Sequence, residues 1–439
     1  MKKYDNYKDS GIEWIGEIPE HWEVKPFKHL VICNSEALTE KTNPEMEINY
    51  IEIGDVNSFD GIKETSKYTF EKAPSRARRI VREGDVIIST VRTYLKAITS
   101  ISSKFDGFIA STGFAVLTPK LIHSGFLGNI ALCEGLIGEI ISLSKGVSYP
   151  SITSQDLTNI SIPFPSKNEQ NAIANYLDHK TTQIDTLIAK KEQFISLLQE
   201  ERTAVINQAV TKGLDPNVPM KDSGIEWLGE IPEHWEVKRM KYVIKTPLKY
   251  GANESAEDEI LEDPRYIRIT DFGNDGKLRK NTFKSLSLDK AENFLLEEGD
   301  ILFARSGATV GKTFFFKDYK GVACFAGYLI KASCDPMIMK SEFLYEFTNS
   351  SGYENWKQSI FQQSTIQNIG ADKYNQLKIG VPPIAEQQKI IDFITSKINE
   401  IDTLISKSQQ EIELLKEYKT ALISEVVTGK VDVRDEVLN

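Results

Sequence analysis

The sequence lacks the features that mark secreted and membrane-spanning proteins. Its four cysteines (Cys33, Cys133, Cys324 and Cys334) are scattered and form no C-x-x-C pair, which excludes a disulfide framework and favours a reduced, cytoplasmic setting. No run approaches the roughly 18 apolar residues that cross a bilayer, and no apolar stretch follows the N-terminal lysines as a signal peptide requires. We therefore expect no membrane contact.

An excess of positive charge is also lacking. The 53 lysines and arginines are outnumbered by 63 aspartates and glutamates, so the formal net charge is −10. Any contact with nucleic acid must therefore come from local basic patches. The 439 residues, 40% hydrophobic and 26% charged, are typical of a folded globular protein with more than one domain.

The chain contains a tandem duplication. Asp9–Leu30 (DSGIEWIGEIPEHWEVKPFKHL) recurs as Asp222–Val243 (DSGIEWLGEIPEHWEVKRMKYV), with differences at only five positions. Weaker repeats follow at Val81–Ile88 and Leu296–Phe303, and again at the two long helical segments. A period above 200 residues is far too long for a solenoid, so a whole module is duplicated.

Each module has a globular part followed by a long helix. Short β-branched and aromatic runs bounded by glycine turns, such as Glu83-Gly84-Asp85 and Glu298-Gly299-Asp300, predict a mixed α/β (α+β) globule. Prolines precede each helix, and neither helix meets glycine or proline before Gly213 or Gly429. The expected domains are 1–165, a helix at 166–212, 213–382, a helix at 383–430, and a tail at 431–439.

The two helices carry apolar residues at alternating steps of four and three, which predicts a coiled-coil seam. The seam residues are Leu177, Ile184, Ile188, Ile195, Leu198, Val205, Ile394, Ile398, Ile401, Ile405, Ile412, Leu415 and Leu422. A long helix with one apolar stripe needs a partner, and the other copy is the nearest candidate. Antiparallel pairing would make the chain pseudo-two-fold, with a recognition surface on each globule. The frame segments, led by Asp9–Leu30 and Asp222–Val243, are nearly identical between the copies while the globules between them barely align, as recognition of two different half-sites requires.

These features resemble the specificity (S) subunit of type I restriction–modification systems over essentially the whole chain. The resemblance rests on the duplicated GIEWIGEIPEHWEVK and GIEWLGEIPEHWEVK segments, on the Gly84-Asp85 and Gly299-Asp300 turns, and on the helix openings PFPSKNEQNAIANYLD and VPPIAEQQKIIDFITSKINEIDTLI. It implies two target-recognition domains on an antiparallel coiled coil, and recognition of a bipartite, asymmetric site in double-stranded DNA. The implied partners are two methyltransferase (M) subunits and the restriction (R) subunits. The resemblance implies no catalysis and no cofactor on this chain, with S-adenosylmethionine, ATP and magnesium on the partners.

Catalytic motifs are missing. Arg305–Thr313 (RSGATVGKT) approaches a phosphate-binding loop, but three residues separate Gly307 from Gly311 where such a loop needs four. We interpret it as a glycine-rich turn that presents Arg305 and Lys312 to DNA. His21 and His234 occupy equivalent places in the duplicated segment and have no ligand-spaced partners, so a structural role is favoured and no metal is expected.

Candidate DNA contacts cluster around the glycine turns and just before each long helix, where arginine, lysine and amide side chains can bind guanine, phosphate and adenine. In module one they are Arg76, Arg78, Arg79, Thr90, Arg92, Tyr94, Lys96, Ser148, Tyr149 and Ser151. In module two they are Arg265, Arg268, Arg305, Ser306, Lys312, Gln363, Ser364, Thr365, Gln367 and Asn368.

Each of these runs could equally be a solvated loop, and the whole chain could be a protein-only scaffold with two peptide-binding globules. Because the chain is acidic, we expect the isolated subunit to bind DNA weakly and the partner subunits to neutralise many phosphates.

Overall fold

The computed structural model describes residues 2–256, 259–273, 278–307, 309–362 and 368–436, without the side chain of Gln362. The chain forms two compact units. Unit 1 contains Met1–Glu192 and Gln409–Asn439, and unit 2 contains Gln193–Ser408. Each unit therefore combines one globule with the first part of its own long helix and the last part of the other. This division differs from the contiguous domains expected from the sequence.

The helices include the two predicted long ones. In chain order they are α1 Ser124–Ala131, α2 Glu134–Ser142, α3 Ser154–Asn159, α4 Lys167–Lys212, α5 Leu288–Ala291, α6 Ser341–Phe347, α7 Ser351–Gln362, α8 Ala371–Gln376 and α9 Ile384–Val427. Gly213 and Gly429 follow the long helices with φ of +75° and +74°, a left-handed backbone that glycine adopts without steric strain. The predicted stops near these glycines are confirmed, although α9 ends at Val427 rather than at 430.

The strands of unit 1 form two four-stranded sheets and three short pairs. They are β1 Tyr7–Asp9, β2 Glu17–Pro19, β3 Glu23–Pro26, β4 Val31–Cys33, β5 Glu47–Ile51, β6 Val56–Asn57, β7 Gly61–Ile62, β8 Ser66–Thr69, β9 Ala77–Ile80, β10 Val86–Ser89, β11 Ile98–Ser100, β12 Ile109–Ser111, β13 Phe114–Pro119 and β14 Ser161–Phe164. One sheet has the order β11-β10-β13-β4 and the other β8-β5-β12-β9, in which β5 and β12 are parallel.

Unit 2 repeats the core of this plan. Its strands are β15 Met220–Asp222, β16 Glu230–Pro232, β17 Glu236–Arg239, β18 Lys249–Tyr250, β19 Arg265–Ile267, β20 Ile301–Ala304, β21 Thr313–Phe315, β22 Ala323–Phe325, β23 Leu329–Ala332 and β24 Lys378–Val381. The main sheet has the order β18-β23-β20-β21, and β19 pairs with β22 in parallel. The predicted mixed α/β globules are confirmed.

A glycine–aspartate turn leads into a central strand of a four-stranded sheet in each unit, β10 of the β11-β10-β13-β4 sheet in unit 1 and β20 of the main sheet in unit 2. Gly84 and Gly299 have φ of +85° and +92°. The buried Asp85 carboxylate accepts the Arg82 amide N–H at 2.8 Å, and Asp300 accepts that of Glu297 at the same distance. The strands that follow, β10 and β20, are buried throughout because both of their faces are covered.

The duplicated segment fastens each globule to the first turn of its long helix. The buried Trp22 donates its indole N–H to Glu169 Oε1 at 3.2 Å, and His21 Nε2 lies 2.8 Å from the same oxygen. Glu169 Oε2 also accepts the Ser166 hydroxyl at 2.9 Å, in a capping box that begins α4. The structural interpretation of His21 is confirmed by this contact.

Unit 2 has the same fastening. Trp235 donates its indole N–H to Glu386 Oε1 at 3.1 Å, and His234 Nε2 lies 2.7 Å from Glu386 Oε2. Gln387, the next residue of α9, accepts the Lys340 amide at 2.8 Å and donates to the Pro382 carbonyl at 2.9 Å. The near identity of the duplicated segments thus has a packing reason, and the structural interpretation of His234 is confirmed too.

The long helices pair antiparallel within unit 1. Lys419 of α9 binds Asp185 of α4 at 2.7 Å, and Lys191 binds Glu411, so residue numbers rise along one helix as they fall along the other. The seam residues of this unit are buried or half-buried: Leu177, Ile184, Ile188, Ile412, Leu415 and Leu422.

The helices pair antiparallel in unit 2 as well. Arg202 of α4 lies 3.9 Å from Asp402 of α9, in the position equivalent to the Lys419–Asp185 pair of unit 1. The seam residues Ile195, Leu198, Val205, Ile394, Ile398, Ile401 and Ile405 are likewise buried or half-buried. Helix and globule share one core here, in which Val210 and Ile390 pack with Trp235 and Phe343. The predicted antiparallel coiled coil is confirmed.

The C-terminal segment after α9 packs against the N-terminus of unit 1. The Asp432 amide donates to the Lys2 carbonyl at 2.9 Å, and the Arg434 guanidinium lies 4.8 Å from the Tyr4 ring centroid. Among the described residues, no single helix combines the length and apolarity of a bilayer span, although the bent α1–α2 pair passes that test by length and composition.

Candidate nucleic-acid interface

Unit 1 joins two of the predicted contact segments, which lie far apart in the sequence. We call Thr90–Lys96 turn loop one and Lys145–Ser151 pre-helix loop one. The Ile152 amide donates to the Thr90 carbonyl at 2.9 Å, and the Arg92 amide donates to the Pro150 carbonyl at 2.7 Å. The two loops therefore form one continuous surface beyond the end of β10.

Exposed side chains on this surface include a stacked pair. The Arg92 guanidinium lies 4.6 Å from the centroid of the Tyr149 ring, and both residues are exposed. Arg92 and Lys96 have φ of +50° and +52°, a conformation that non-glycine residues rarely adopt. Tyr94 is 51% exposed, and Ser148 and Ser151 are also exposed. The cation–π contact with Tyr149 holds the Arg92 guanidinium group in a defined orientation.

Arg76 is connected to the same surface through the turn between β12 and β13. The Thr112 amide donates to the Arg76 carbonyl at 2.8 Å, and the Thr90 amide donates to the Gly113 carbonyl at 2.8 Å. The Thr90 hydroxyl also donates to Gly113, so its proton is already engaged. Arg76 itself is exposed and available to a ligand.

Two other candidates of module one, Arg78 and Lys96, have partners within the protein, and a third, Arg79, is half-buried. Arg78 donates to the Ala77 carbonyl at 3.0 Å and lies over Phe70, Arg79 is half-buried on β9, and Lys96 binds Glu134 at 2.8 Å. These contacts leave Arg78 and Lys96 with fewer free hydrogen-bond donors for DNA.

Unit 2 repeats the junction of the two loops. The Ile369 amide donates to the Arg305 carbonyl at 2.9 Å, which is the equivalent of the Ile152–Thr90 bond. Ser306 forms a β-bridge with the exposed Asn368. The Arg305 guanidinium lies 4.9 Å from the Tyr250 ring centroid, and Lys312 is exposed on the same turn. The candidates Gln363, Ser364, Thr365 and Gln367 lie outside the described residues.

Two candidates of module two, the buried Arg265 and the half-buried Arg268, have partners within the domain. Arg265 is only 6% exposed and donates to the Arg279 carbonyl at 2.7 Å, and all three residues of β19 are buried. Arg268 forms a two-pronged contact with the buried Asp271 at 2.8 and 3.1 Å. The burial of Arg265 argues against a DNA contact there, and Arg268 is occupied by its carboxylate.

Among the described residues, the candidate cations without an ion-pair partner include Arg92, Lys312 and the half-buried Arg305 on the joined loops, with Arg76 beside them. Within the described parts of the chain, no carboxylate lies within ion-pair distance of Arg76, Arg92, Arg305 or Lys312. Phosphates attract such unpaired charges even though the chain as a whole is acidic. Sequence reasoning missed Tyr250, whose ring supports Arg305. Its only signal was an aromatic beside a glycine, Gly251.

The described residues show no catalytic constellation. They contain no cluster of histidine, cysteine and carboxylate side chains that could hold a metal ion. Burial raises the pKa of the Cys324 and Cys334 thiols to about 12, so both stay protonated and are poor nucleophiles at neutral pH. The arrangement is suited to binding.

Comparison with known proteins agrees with this geometry. The family model described as the type I restriction modification DNA specificity domain matches residues 19–196 and again residues 232–414. The chain belongs to this family. The first match contains Trp22 and the loop after β10, and the second contains Trp235 and the turn after β20. The specificity domain therefore occurs twice in the chain.

Relatives of the specificity family match most of the chain. The type I restriction enzyme EcoKI specificity subunit of Escherichia coli is 23% identical over 95% of this chain and 90% of its own length. The MjaVIII specificity subunit of Methanocaldococcus jannaschii is 26% identical over 67% of each chain. A chain from a structure concerning complex assembly of the type I R-M system has a TM-score of 0.75 at 20% identity, covering 94% of this chain and 99% of that one.

Proposed function

We propose that this chain is the DNA sequence-specificity subunit of a type I restriction–modification complex. Its unit 1 globule recognises one half of a bipartite, asymmetric site, and its unit 2 globule recognises the other half. The subunit is not catalytic. It positions DNA for partners that carry out the chemistry.

One observation carries this proposal. In both units, a backbone hydrogen bond of 2.9 Å joins the turn after the central strand to the segment before the long helix, through Ile152–Thr90 and Ile369–Arg305. The joined loops bear different side chains in the two units, Arg92 with Tyr149 and Arg305 with Asn368. A shared frame with two unlike surfaces suits two different half-sites.

The proposal includes protein partners. Two methyltransferase subunits and the restriction subunits bind this scaffold, and they carry S-adenosylmethionine, ATP and magnesium. The relatives named above belong to type I restriction enzymes, which supports partners of this kind. We place the chain in the cytoplasm, and its four cysteines, all free thiols in the structure, are compatible with that compartment.

The test is DNA binding by the chain together with methyltransferase subunits. Sequence-specific affinity that falls with rising salt supports the proposal. Salt-independent behaviour with no sequence preference would favour the alternative, a protein-only scaffold with two peptide-binding globules. Tight specific binding by the isolated acidic chain would contradict our expectation that the partners neutralise much of the phosphate charge.

A further inference from the structure

The tip of pre-helix loop one carries an unusually exposed apolar side chain. Val147 is 101% exposed, and Tyr149 two residues later is 65% exposed. In turn loop one, Tyr94 and Leu95 are 51% and 50% exposed. The joined loops of unit 1 therefore present apolar surface to water beside the polar and basic candidates.

Hydrogen bonds fix the base of this tip. Lys145 and Ser151 exchange backbone hydrogen bonds of 2.8 and 2.9 Å, in addition to the bonds that tie Pro150 and Ile152 to turn loop one. Gly146 has φ of +108°, and a Cβ at this position would lie 3.2 Å from the Tyr149 carbonyl oxygen. The side chain of Val147 is thus carried outward on a defined turn that requires glycine.

Positive charge flanks the tip. Arg92 and Lys145 are both exposed, and in the described part of the chain no carboxylate lies within ion-pair distance of either. An apolar tip between two unpaired cations complements a DNA groove, where phosphates line the edges and bases form the floor. The apolar group on the floor of the major groove is the 5-methyl of thymine.

We propose that Val147 enters the major groove and packs against a thymine 5-methyl group, which makes it a specificity-determining residue of the unit 1 domain. This inference rests on the proposed function and adds a base preference to it. The domain prefers an A·T or T·A pair at one position because burying the methyl group against the isopropyl group stabilises the complex. Removing one methyl group is expected to weaken binding about fourfold.

The experiment uses the full chain assembled with methyltransferase subunits. Methylation mapping first defines both half-sites, and the half-site whose sequence relaxes in Arg92→Ala is assigned to unit 1. Duplexes in which each thymine is replaced singly by deoxyuracil are then compared for affinity. The affinity of the wild-type protein is expected to fall about fourfold when one particular thymine of that half-site is replaced by deoxyuracil. Val147→Ser is expected to bind the duplex with that thymine and the duplex with deoxyuracil in its place with equal affinity.

Leu121→Ser is the matched control, because Leu121 is an apolar residue of the same unit with 65% exposure and lies outside both loops. It should retain the wild-type response to deoxyuracil. The proposal is overturned if no thymine of the half-site is sensitive, or if Val147→Ser keeps the sensitivity. It is also overturned if Val147→Ser impairs assembly with the methyltransferase subunits while the deoxyuracil response persists, since the tip then contacts protein. Failure of the proposed function is distinct, because mapping would then yield no half-sites at all.

Discussion

Ile152 donates its backbone N–H to the carbonyl oxygen of Thr90, 62 positions earlier in the chain, at 2.9 Å and so joins two loops that are distant in the sequence. Ile369 and Arg305 form the same bond in the other unit. The described candidates on these joined loops consequently belong to one surface in each unit, at the end of a buried central strand. Substitutions in either loop of one unit should therefore affect the same half-site.

Arg92→Ala should relax recognition of one half-site and leave the other unchanged. The Arg92 fork is exposed and oriented by Tyr149, as bidentate contact with guanine requires. The expected loss is about 1–3 kcal/mol of binding free energy. Methylation mapping and competition binding with base-substituted duplexes measure it. Arg82→Ala is the control, because Arg82 already binds Glu36 at 2.7 Å. Equal loss in both variants would count against a specific role for Arg92.

Lys312→Ala should weaken binding to all sequences alike. Lys312 is exposed on the glycine-rich turn, and a lysine there contributes a phosphate contact. The slope of log affinity against log salt should fall by about one. Titration of the assembled complex with duplex DNA at several salt concentrations measures that slope. The control is Lys389→Ala, which removes the same charge from an exposed position on α9. A change in sequence preference, rather than in slope, would contradict the assignment.

Glu169→Gln should destabilise the chain at neutral pH. Burial acts to raise the pKa of Glu169, but hydrogen bonds from His21, Ser166 and Trp22 outweigh it and hold the pKa below its ordinary value. Weakening these charged hydrogen bonds should lower the free energy of unfolding by about 1–3 kcal/mol. Urea unfolding of the full chain measures the change.

The same pKa sets the pH dependence of this effect. Because the folded-state pKa is depressed, the stabilisation is present above the unfolded-state pKa and is lost as pH falls through the folded-state value. The stability of Glu169→Gln should therefore vary less with pH in acid than that of the wild type. Glu20→Gln, at an exposed neighbouring carboxylate, should follow the wild-type curve. If the free energy of unfolding of Glu169→Gln and of the wild type changed with pH in parallel, the hydrogen bonds to Glu169 would contribute nothing to the sensitivity of the fold to acid.

Lengthening both long helices should lengthen the gap between the half-sites. Inserting seven residues between Glu192 and Arg202, and seven between Asp402 and Glu411, preserves the heptad pattern. At about 1.5 Å per residue the insertion adds about 10 Å, equivalent to about three base pairs. Methylation mapping should show unchanged half-sites and a longer gap. An unchanged gap would exclude the helices as the spacer.

The heptads and the short β-branched runs were enough to predict the two long helices and the mixed globules, whereas the antiparallel pairing was implied by the family resemblance. The helices and the globules follow from local patterns, such as the seam from Leu177 to Val205, or from the repeat itself. The division into units was not predictable in the same way. It depends on which stretches of α4 and α9 share a core with which globule, as Val210 and Ile390 do with Trp235.

The candidate site was only partly predictable because residue type says little about burial. Arg265 and Arg305 look alike in the sequence, yet Arg265 is buried on β19 and Arg305 is half-buried on a turn. Val147 was not a candidate at all, since a single valine in a loop has no sequence signature and its full exposure is a property of the fold. The partner of Trp22, Glu169, lies too far along the chain for any spacing rule to find.

Methylation mapping of cells that express this chain with its partner subunits, as wild type, Arg92→Ala and Arg305→Ala, tests the central claim most directly. We expect the wild type to modify a bipartite motif with two unlike halves and a fixed gap, and each variant to relax a different half. A single undivided motif, or relaxation of the same half by both variants, would contradict the account.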